Sequence, residues 1–121
     1  MIDAGLAALD VCDLRTLGRV SGQPRVVEIW FAADGDRVFL LSGGGDAANW
    51  VRNLQANPDV WLLFGERSYR GRARTIEGEP DEALARRLLA AKYQGWRDGQ
   101  PLSEWARTSL PVAIDVLAEE R

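Results

Sequence analysis

Three short stretches hold residue types that bind or carry charge. The first is Gly18-Arg19-Val20-Ser21-Gly22-Gln23-Pro24-Arg25. Its glycines let the backbone approach a ligand closely, while Ser21, Arg19 and Arg25 supply donors suited to an anion. A charged hairpin turn reads the same way. The second is Ser42-Gly43-Gly44-Gly45-Asp46, which runs into a helical pattern. Backbone amides at a helix start suit a phosphate or an electron-rich ring. Asp46 opposes a phosphate there, because its own carboxylate is placed to cap the helix. A plain strand-to-helix connection is the other reading. The third is Asn49-Trp50-Val51-Arg52-Asn53-Leu54. Trp50 falls on the apolar side of this helix, and Arg52 and Asn53 are expected to point elsewhere. Trp50 reads as core or as the wall of a site, and Arg52 as a solvated residue or an anion contact.

What is missing narrows the chemistry. There is no histidine, and Cys12 is the single cysteine. Histidine acid–base catalysis, Cys/His zinc sites and intrachain disulfides are therefore excluded. Cys12 reads as a small buried hydrophobe. A net charge of −3 opposes unspecific nucleic-acid binding. The acidity is local: residues 1–75 carry 9 basic and 9 acidic side chains, and residues 76–121 carry 6 and 9. The first part is thus free to hold a basic patch. Lys92 is the only lysine among 15 basic residues; the arginines suit forked contacts to phosphate or carboxylate, although genome composition alone gives such a bias. Five tryptophans are costly to expose, so several are expected in a core, a pocket or an interface. No apolar run approaches the roughly 20 residues of a membrane span. Asp3, with no basic cluster before an apolar run, opposes a signal peptide, and a cytoplasmic protein is expected. A length of 121 residues predicts one domain over 1–121.

The elements that must position these stretches follow from periodicity. A short helix is expected over 3–10 and a strand over 12–20, broken at Gly18. The Ser21–Pro24 turn leads to a strand from Arg25 to Ala33. Asp34-Gly35-Asp36 turns into a strand over Arg37–Ser42, whose continuous apolar run implies burial on both faces. A helix over 46–57 carries Ala47, Trp50, Val51 and Leu54 on one face and stops before Pro58. Val60–Phe64 is a further apolar strand. Tyr69–Ile76 alternates, with Arg70, Arg72 and Arg74 on its polar side. A long helix spans 80–96 with Ala85, Leu88, Leu89 and Lys92 on one stripe, residues 97–110 read as loop, and Val112–Leu117 is the last strand. With no βαβ repeat, this order gives an α+β meander of about six mostly antiparallel strands and two or three helices, suited to a small closed or half-closed barrel.

Taken together, the stretches resemble the flavin/deazaflavin-dependent split-barrel oxidoreductases, in the branch of deazaflavin-dependent nitroreductases and quinone reductases. The resembling residues are Leu14-Arg15-Thr16-Leu17-Gly18-Arg19-x-Ser21-Gly22-x-Pro24-Arg25, then Ile29-Trp30-Phe31, Ser42-x-Gly44 and Trp50-x-Arg52-Asn53-Leu54-x-Ala56-Asn57-Pro58-x-Val60. The resemblance implies a split β-barrel of the FMN-binding, pyridoxamine-phosphate-oxidase-like type. It implies hydride transfer between the deazaflavin coenzyme F-420 and a small electrophilic acceptor, such as a quinone, nitroaromatic or enone. An FMN-binding oxidoreductase of the same fold and a non-catalytic ligand-binding module are the alternatives. By the same resemblance Arg19, Ser21, Pro24 and Arg25 border the cofactor's phosphate-bearing tail, Val27 and Ser42 lie along the ring, and Trp50, Arg52 and Asn53 belong to the helix that closes the site. The chain departs from the pattern at Val20, Gln23 and Gly43, where family members often carry lysine. A homodimer is expected, because the apolar runs Val38–Leu41 and Val60–Phe64 need cover on both sides and two helices cannot supply it.

Overall fold

Alternating burial sets the inner face of the sheet. In β1 (Cys12–Leu17), Cys12, Leu14 and Thr16 are buried and the residues between them only half so. The same period runs through β5 (Asp59–Phe64) and β6 (Arg67–Thr75), as a half-covered antiparallel sheet requires. The other strands are β2 (Pro24–Ile29), β3 (Ala32–Asp34), β4 (Arg37–Ser42) and β7 (Leu110–Glu120), and the computed structural model describes residues 2–120. The helices are α1 (Ala4–Ala7), α2 (Asn49–Ala56), α3 (Glu82–Gln94) and α4 (Glu104–Thr108), with a 3-10 turn over Gly45–Ala47.

All seven strands pair antiparallel in one sheet, in the order β2-β1-β5-β6-β7-β4-β3. The two edge strands, β2 and β3, are separated in sequence by Trp30 and Phe31 alone. The sheet must therefore curl until its edges meet there, which makes a half-barrel. Inside it lie Leu14, Val38, Leu40, Leu62, Phe64 and Ile114, with Leu54 of α2 packed among them. Burying each such side chain contributes roughly 1.5–3 kcal/mol. On the outer face, α3 places Ala85 and Leu89 against Phe39, Leu41 and Ala113. Where β6 meets β7, a bulge at Arg70/Gly71 lets the long β7 bend.

At the split the backbone loses its ladder partners, and side chains of α3 replace them. The Phe31 N–H donates to Tyr93 Oη at 3.0 Å, and the Phe31 carbonyl accepts from Lys92 Nζ at 3.0 Å. Lys92 Nζ also donates to the Ala7 carbonyl (3.0 Å), and Tyr93 Oη donates to the Asp10 carbonyl (2.8 Å). These four bonds tie α1, α3 and the β2–β3 crossing together. Burial holds the Lys92 ammonium below its ordinary pKa.

Several expectations change. The single strand over Arg25–Ala33 is two strands on opposite edges, because Trp30 and Phe31 turn the chain across the split. The first helix is confined to Ala4–Ala7 behind the Asp3 cap. Asp46 does not cap the second helix; it sits in the 3-10 turn, and Ala48 occupies the N-cap without a side-chain bond. The stretch 97–110 contains α4, capped by Ser103 Oγ on the Ala106 N–H. Among the described residues there are seven strands and four helices rather than six and two or three. The Val38–Leu41 run is covered within the chain, by the barrel interior on one side and α3 on the other. The Val60–Phe64 run alternates instead, leaving Trp61 and Leu63 half-covered on the outer face.

Candidate cofactor cleft

The β1–β2 hairpin and α2 enclose a cleft of about 530 Å³. The hairpin reaches it because Leu17 pairs with Pro24, leaving residues 18–23 as a loop beyond the sheet. Two backbone bonds close that loop, Gly18 N–H to the Gln23 carbonyl and Gly22 N–H to the Gly18 carbonyl, both 2.8 Å. Gly18 is needed for packing: a Cβ there would lie 2.9 Å from Ser21 Oγ and 3.2 Å from the Gln23 carbonyl oxygen. Ser21 Oγ accepts the Gln23 N–H at 3.1 Å and faces Arg25 Nη2 at 3.5 Å.

A polar network ties the loop to α2. Asn53 is 3% exposed, and its Oδ1 accepts both the Arg19 backbone N–H (3.1 Å) and Arg19 Nη1 (2.9 Å). Its Nδ2 donates to Oγ1 of the buried Thr16 at 3.2 Å. Asn49 Oδ1, one turn earlier on α2, accepts Arg19 Nη2 at 3.2 Å. A buried amide is costly unless its donors and acceptor are used, so this network fixes α2 against the hairpin.

The lining holds two guanidiniums, Arg19 and Arg25, and no carboxylate. Neither arginine forms an ion pair with a carboxylate among the described residues. The cleft is therefore electropositive at its hairpin end. Beside these and the polar Thr16, Ser21, Asn49 and Asn53 it offers apolar surface: Val27 and Trp50 are half-buried, while Val20 and Val26 are 95% and 55% exposed. A molecule with a flat ring and an anionic tail matches both halves of that surface.

Of the nine residues singled out from sequence, Arg19, Ser21, Arg25, Val27, Trp50 and Asn53 line the cleft. Pro24, Ser42 and Arg52 do not. Pro24 opens β2 on the exposed side of the hairpin. Ser42 is buried at the end of β4, with Oγ donating to the Gly45 carbonyl at 3.1 Å. Arg52 is exposed and turns back to the Asp46 carbonyl through Nε at 3.2 Å. Asn53 faces the hairpin rather than away from it. Thr16, Gly18, Val20, Val26 and Asn49 complete the lining and were not singled out as site residues. The inward period of β1 carries a signal for Thr16, and the i, i+4 spacing of Asn49 and Asn53 carries one for the pair.

Comparison with known proteins bears on the same cleft. The family model described as F420H2-dependent quinone reductase matches residues 2–117. An F420H2-dependent quinone reductase of Mycobacterium tuberculosis is 31% identical over 112 residues, covering 86% of this chain and 70% of that protein. Among solved structures, one described as an F420 reductase superposes with a TM-score of 0.69 at 22% identity, covering 96% of this chain and 94% of the other. A protein of Listeria innocua assigned as a pyridoxamine 5'-phosphate oxidase gives 0.69 at 17% identity, covering 95% and 90%. These two likenesses show the split-barrel fold, which agrees with the expectation from sequence. The matched segment includes the hairpin, α2 and all seven strands up to residue 117, and the chain belongs to the family of F420H2-dependent quinone reductases, whose coenzyme is the deazaflavin F-420.

Proposed function

We propose that the cleft between the β1–β2 hairpin and α2 holds the deazaflavin coenzyme F-420, and that the protein reduces small electrophilic acceptors there: quinones, with nitroaromatics and activated enones as further substrates. The observation that carries this reading is the pair of guanidiniums, Arg19 and Arg25, facing one cleft with no carboxylate beside them. Such a pair suits a phosphate-bearing tail, and the Val27–Trp50 side suits a ring. When bound, the coenzyme supplies a hydride that, with one proton, reduces a quinone to its hydroquinone. The protein's part is orientation. Arg19, Arg25 and Ser21 direct donors toward the tail, and Thr16 and Asn53 fix the hairpin that carries them. The lining contains no carboxylic acid, histidine, lysine, cysteine or tyrosine, so no acidic side chain of the cleft would deliver that proton.

We also read residues 1–121 as one split-barrel domain that works in the cytoplasm as a homodimer. The single sheet from β1 to β7 supports the first point. No helix among the described residues is long and apolar enough to cross a membrane. Trp61, Leu63 and the 47%-exposed Leu117 leave apolar surface on the outer face, which a second copy would cover. Sedimentation equilibrium tests the dimer; a particle of one chain's mass, 13.4 kDa, with and without coenzyme would overturn it. Titration of the protein with oxidised F-420, followed by tryptophan quenching, tests the function. Saturable binding, and turnover of a quinone by the reduced coenzyme, are expected. Binding of FMN with no response to F-420 would overturn the reading.

A further inference from the structure

We propose that Asn53 and Asn49 are positioning residues that hold the Arg19 guanidinium with uncharged acceptors, so that its whole charge stays available to an anionic group of the cofactor. The proposal rests on the cleft being the coenzyme site. It changes what Asn53 is expected to do: this residue acts through Arg19 and does not touch the ligand. Both bonds that Asn53 Oδ1 accepts come from Arg19, and Nδ2 is used on Thr16 inside the protein. At 3% exposure, little of the amide remains for a ligand. Arg19 spends one hydrogen of Nη1 and one of Nη2 on the two asparagines. A guanidinium carries five N–H donors, so the two asparagines leave three of them unused.

The residue type at 53 and 49 is the informative detail. A carboxylate at either position would accept the same bonds and hold the same geometry. It would also pair with the guanidinium and offset its charge, so a phosphate would meet a neutral cluster. An amide restrains without neutralising. The two asparagines stand one turn apart on α2, so they bracket Arg19 from one helix face. The backbone bond from Arg19 N–H to Asn53 sets the loop, and the two side-chain bonds set the guanidinium within it. Arg19 would otherwise lose several freely rotating side-chain torsions when a ligand binds, so restraint in advance favours association.

The test uses near-isosteric changes and reads binding rather than turnover. Oxidised F-420 is titrated into wild type and into Asn53→Asp, Asn49→Asp, Arg19→Ala and Arg19→Ala/Asn53→Asp, at low and at high salt. Thermal melting is recorded for each. Asn53→Asp keeps its hydrogen bonds, since the Thr16 hydroxyl can turn to donate, and its melting temperature should stay close to wild type. Its Kd should rise about tenfold at low salt, roughly 1.4 kcal/mol, and should depend less on salt. Asn49→Asp lies at the exposed end of the helix and cannot unfold the protein, and it should show the same effect in smaller measure. Arg19→Ala should lose affinity too, and adding Asn53→Asp to it should lower affinity again, because a carboxylate without its arginine repels the anionic tail. If Arg19→Ala weakens binding while both aspartate variants bind like wild type, the positioning role is wrong and the cleft reading stands. If Asn53→Asp loses the same factor of affinity at low and at high salt, the loss is not one of charge, Asn53 contacts the ligand itself and the proposal is overturned. If Arg19→Ala binds like wild type, the cleft is not the tail site and both readings fall.

Discussion

Removing Arg19 and Arg25 together measures how far the charge of the cleft binds its ligand. Arg25 Nη2 lies 3.5 Å from Ser21 Oγ, the outer limit of a hydrogen bond, so nearly all its donors remain for a ligand. Arg19 keeps three. A hydrogen bond from a charged donor contributes about 1.5–3 kcal/mol when desolvated, whereas an exposed ion pair contributes about 0.2–1 kcal/mol. Both side chains belong to exposed residues but border a concave surface. Each is therefore placed between those limits, near 1–1.5 kcal/mol when a bound tail shields it from water. The double replacement by alanine should cost about 2–3 kcal/mol, a rise in Kd of roughly 30- to 150-fold.

Calorimetric titration of F-420 at two ionic strengths is the assay. Salt screens exposed charge, so the wild-type Kd should climb with salt and that of the double variant should stay nearly flat. Folding should survive, because the Arg19 backbone N–H continues to satisfy Asn53 Oδ1. Arg70 and Arg72 serve as the control: they lie on the outer face of β6, away from the cleft lining, and their replacement should leave affinity unchanged. A double variant within about threefold of wild type, some 0.6 kcal/mol, would refute the assignment of the tail to this hairpin. Equal losses in the control would refute the local argument and leave only a long-range field.

Three further outcomes concern the scaffold. Gly71→Ala would set a Cβ 2.6 Å from Ile114 Cγ2 and 2.9 Å from the Asp115 carbonyl oxygen, and a loss of about 2–3 kcal/mol is expected in urea unfolding. Arg86 is 8% exposed and donates through Nη1 to the carbonyls of Ala106 (2.9 Å) and Ser109 (2.8 Å); Arg86→Met leaves both without that donor and should cost about 2–4 kcal/mol, read as a lower urea midpoint. Burial pushes the Cys12 thiol up to about 12 from 9.0. Its folded pKa is raised, so the native state keeps a proton that the unfolded chain releases; stability falls from about pH 9 toward about pH 12 by at most about 1.4 kcal/mol per pH unit. Cys12→Ala should flatten that alkaline slope, and an equal slope in the variant would assign it to other groups.

Periodicity carried most of the fold because each strand buries one face. Cys12, Leu14 and Thr16 alternate with half-exposed residues, and Arg70, Arg72 and Arg74 stand on the outside of β6 as their spacing predicts. The pattern failed where one apolar stretch serves two strands. Residues 25–33 read as a single strand, since nothing in Ile29-Trp30-Phe31-Ala32 breaks β propensity. The break comes from closure of the sheet, which sends the chain from one edge to the other at Phe31. That crossing is stabilised by Lys92 and Tyr93, some 60 residues later in the chain. Lys92 on an otherwise apolar stripe was the visible trace of it, but no local rule says which carbonyl a lysine will meet.

The site was legible in residue type and less so in arrangement. The hairpin motif located Arg19, Ser21 and Arg25, and the helix motif located Trp50 and Asn53, all of which line one cleft. Trp50, Asn53 and Leu54 stand at i, i+3 and i+4 wherever the helix starts, and only its polarity set Asn53 apart from that stripe; the polar member meets the hairpin. Ala47, counted on the apolar face, is exposed in the 3-10 turn instead. A polar residue on an apolar stripe is a cost unless something across from it completes its bonds. Here Arg19 and Thr16 do so, and both belong to a hairpin that the sequence had already singled out for anion binding. The same buried amide that disturbs the helical pattern thus joins the two stretches at one cleft.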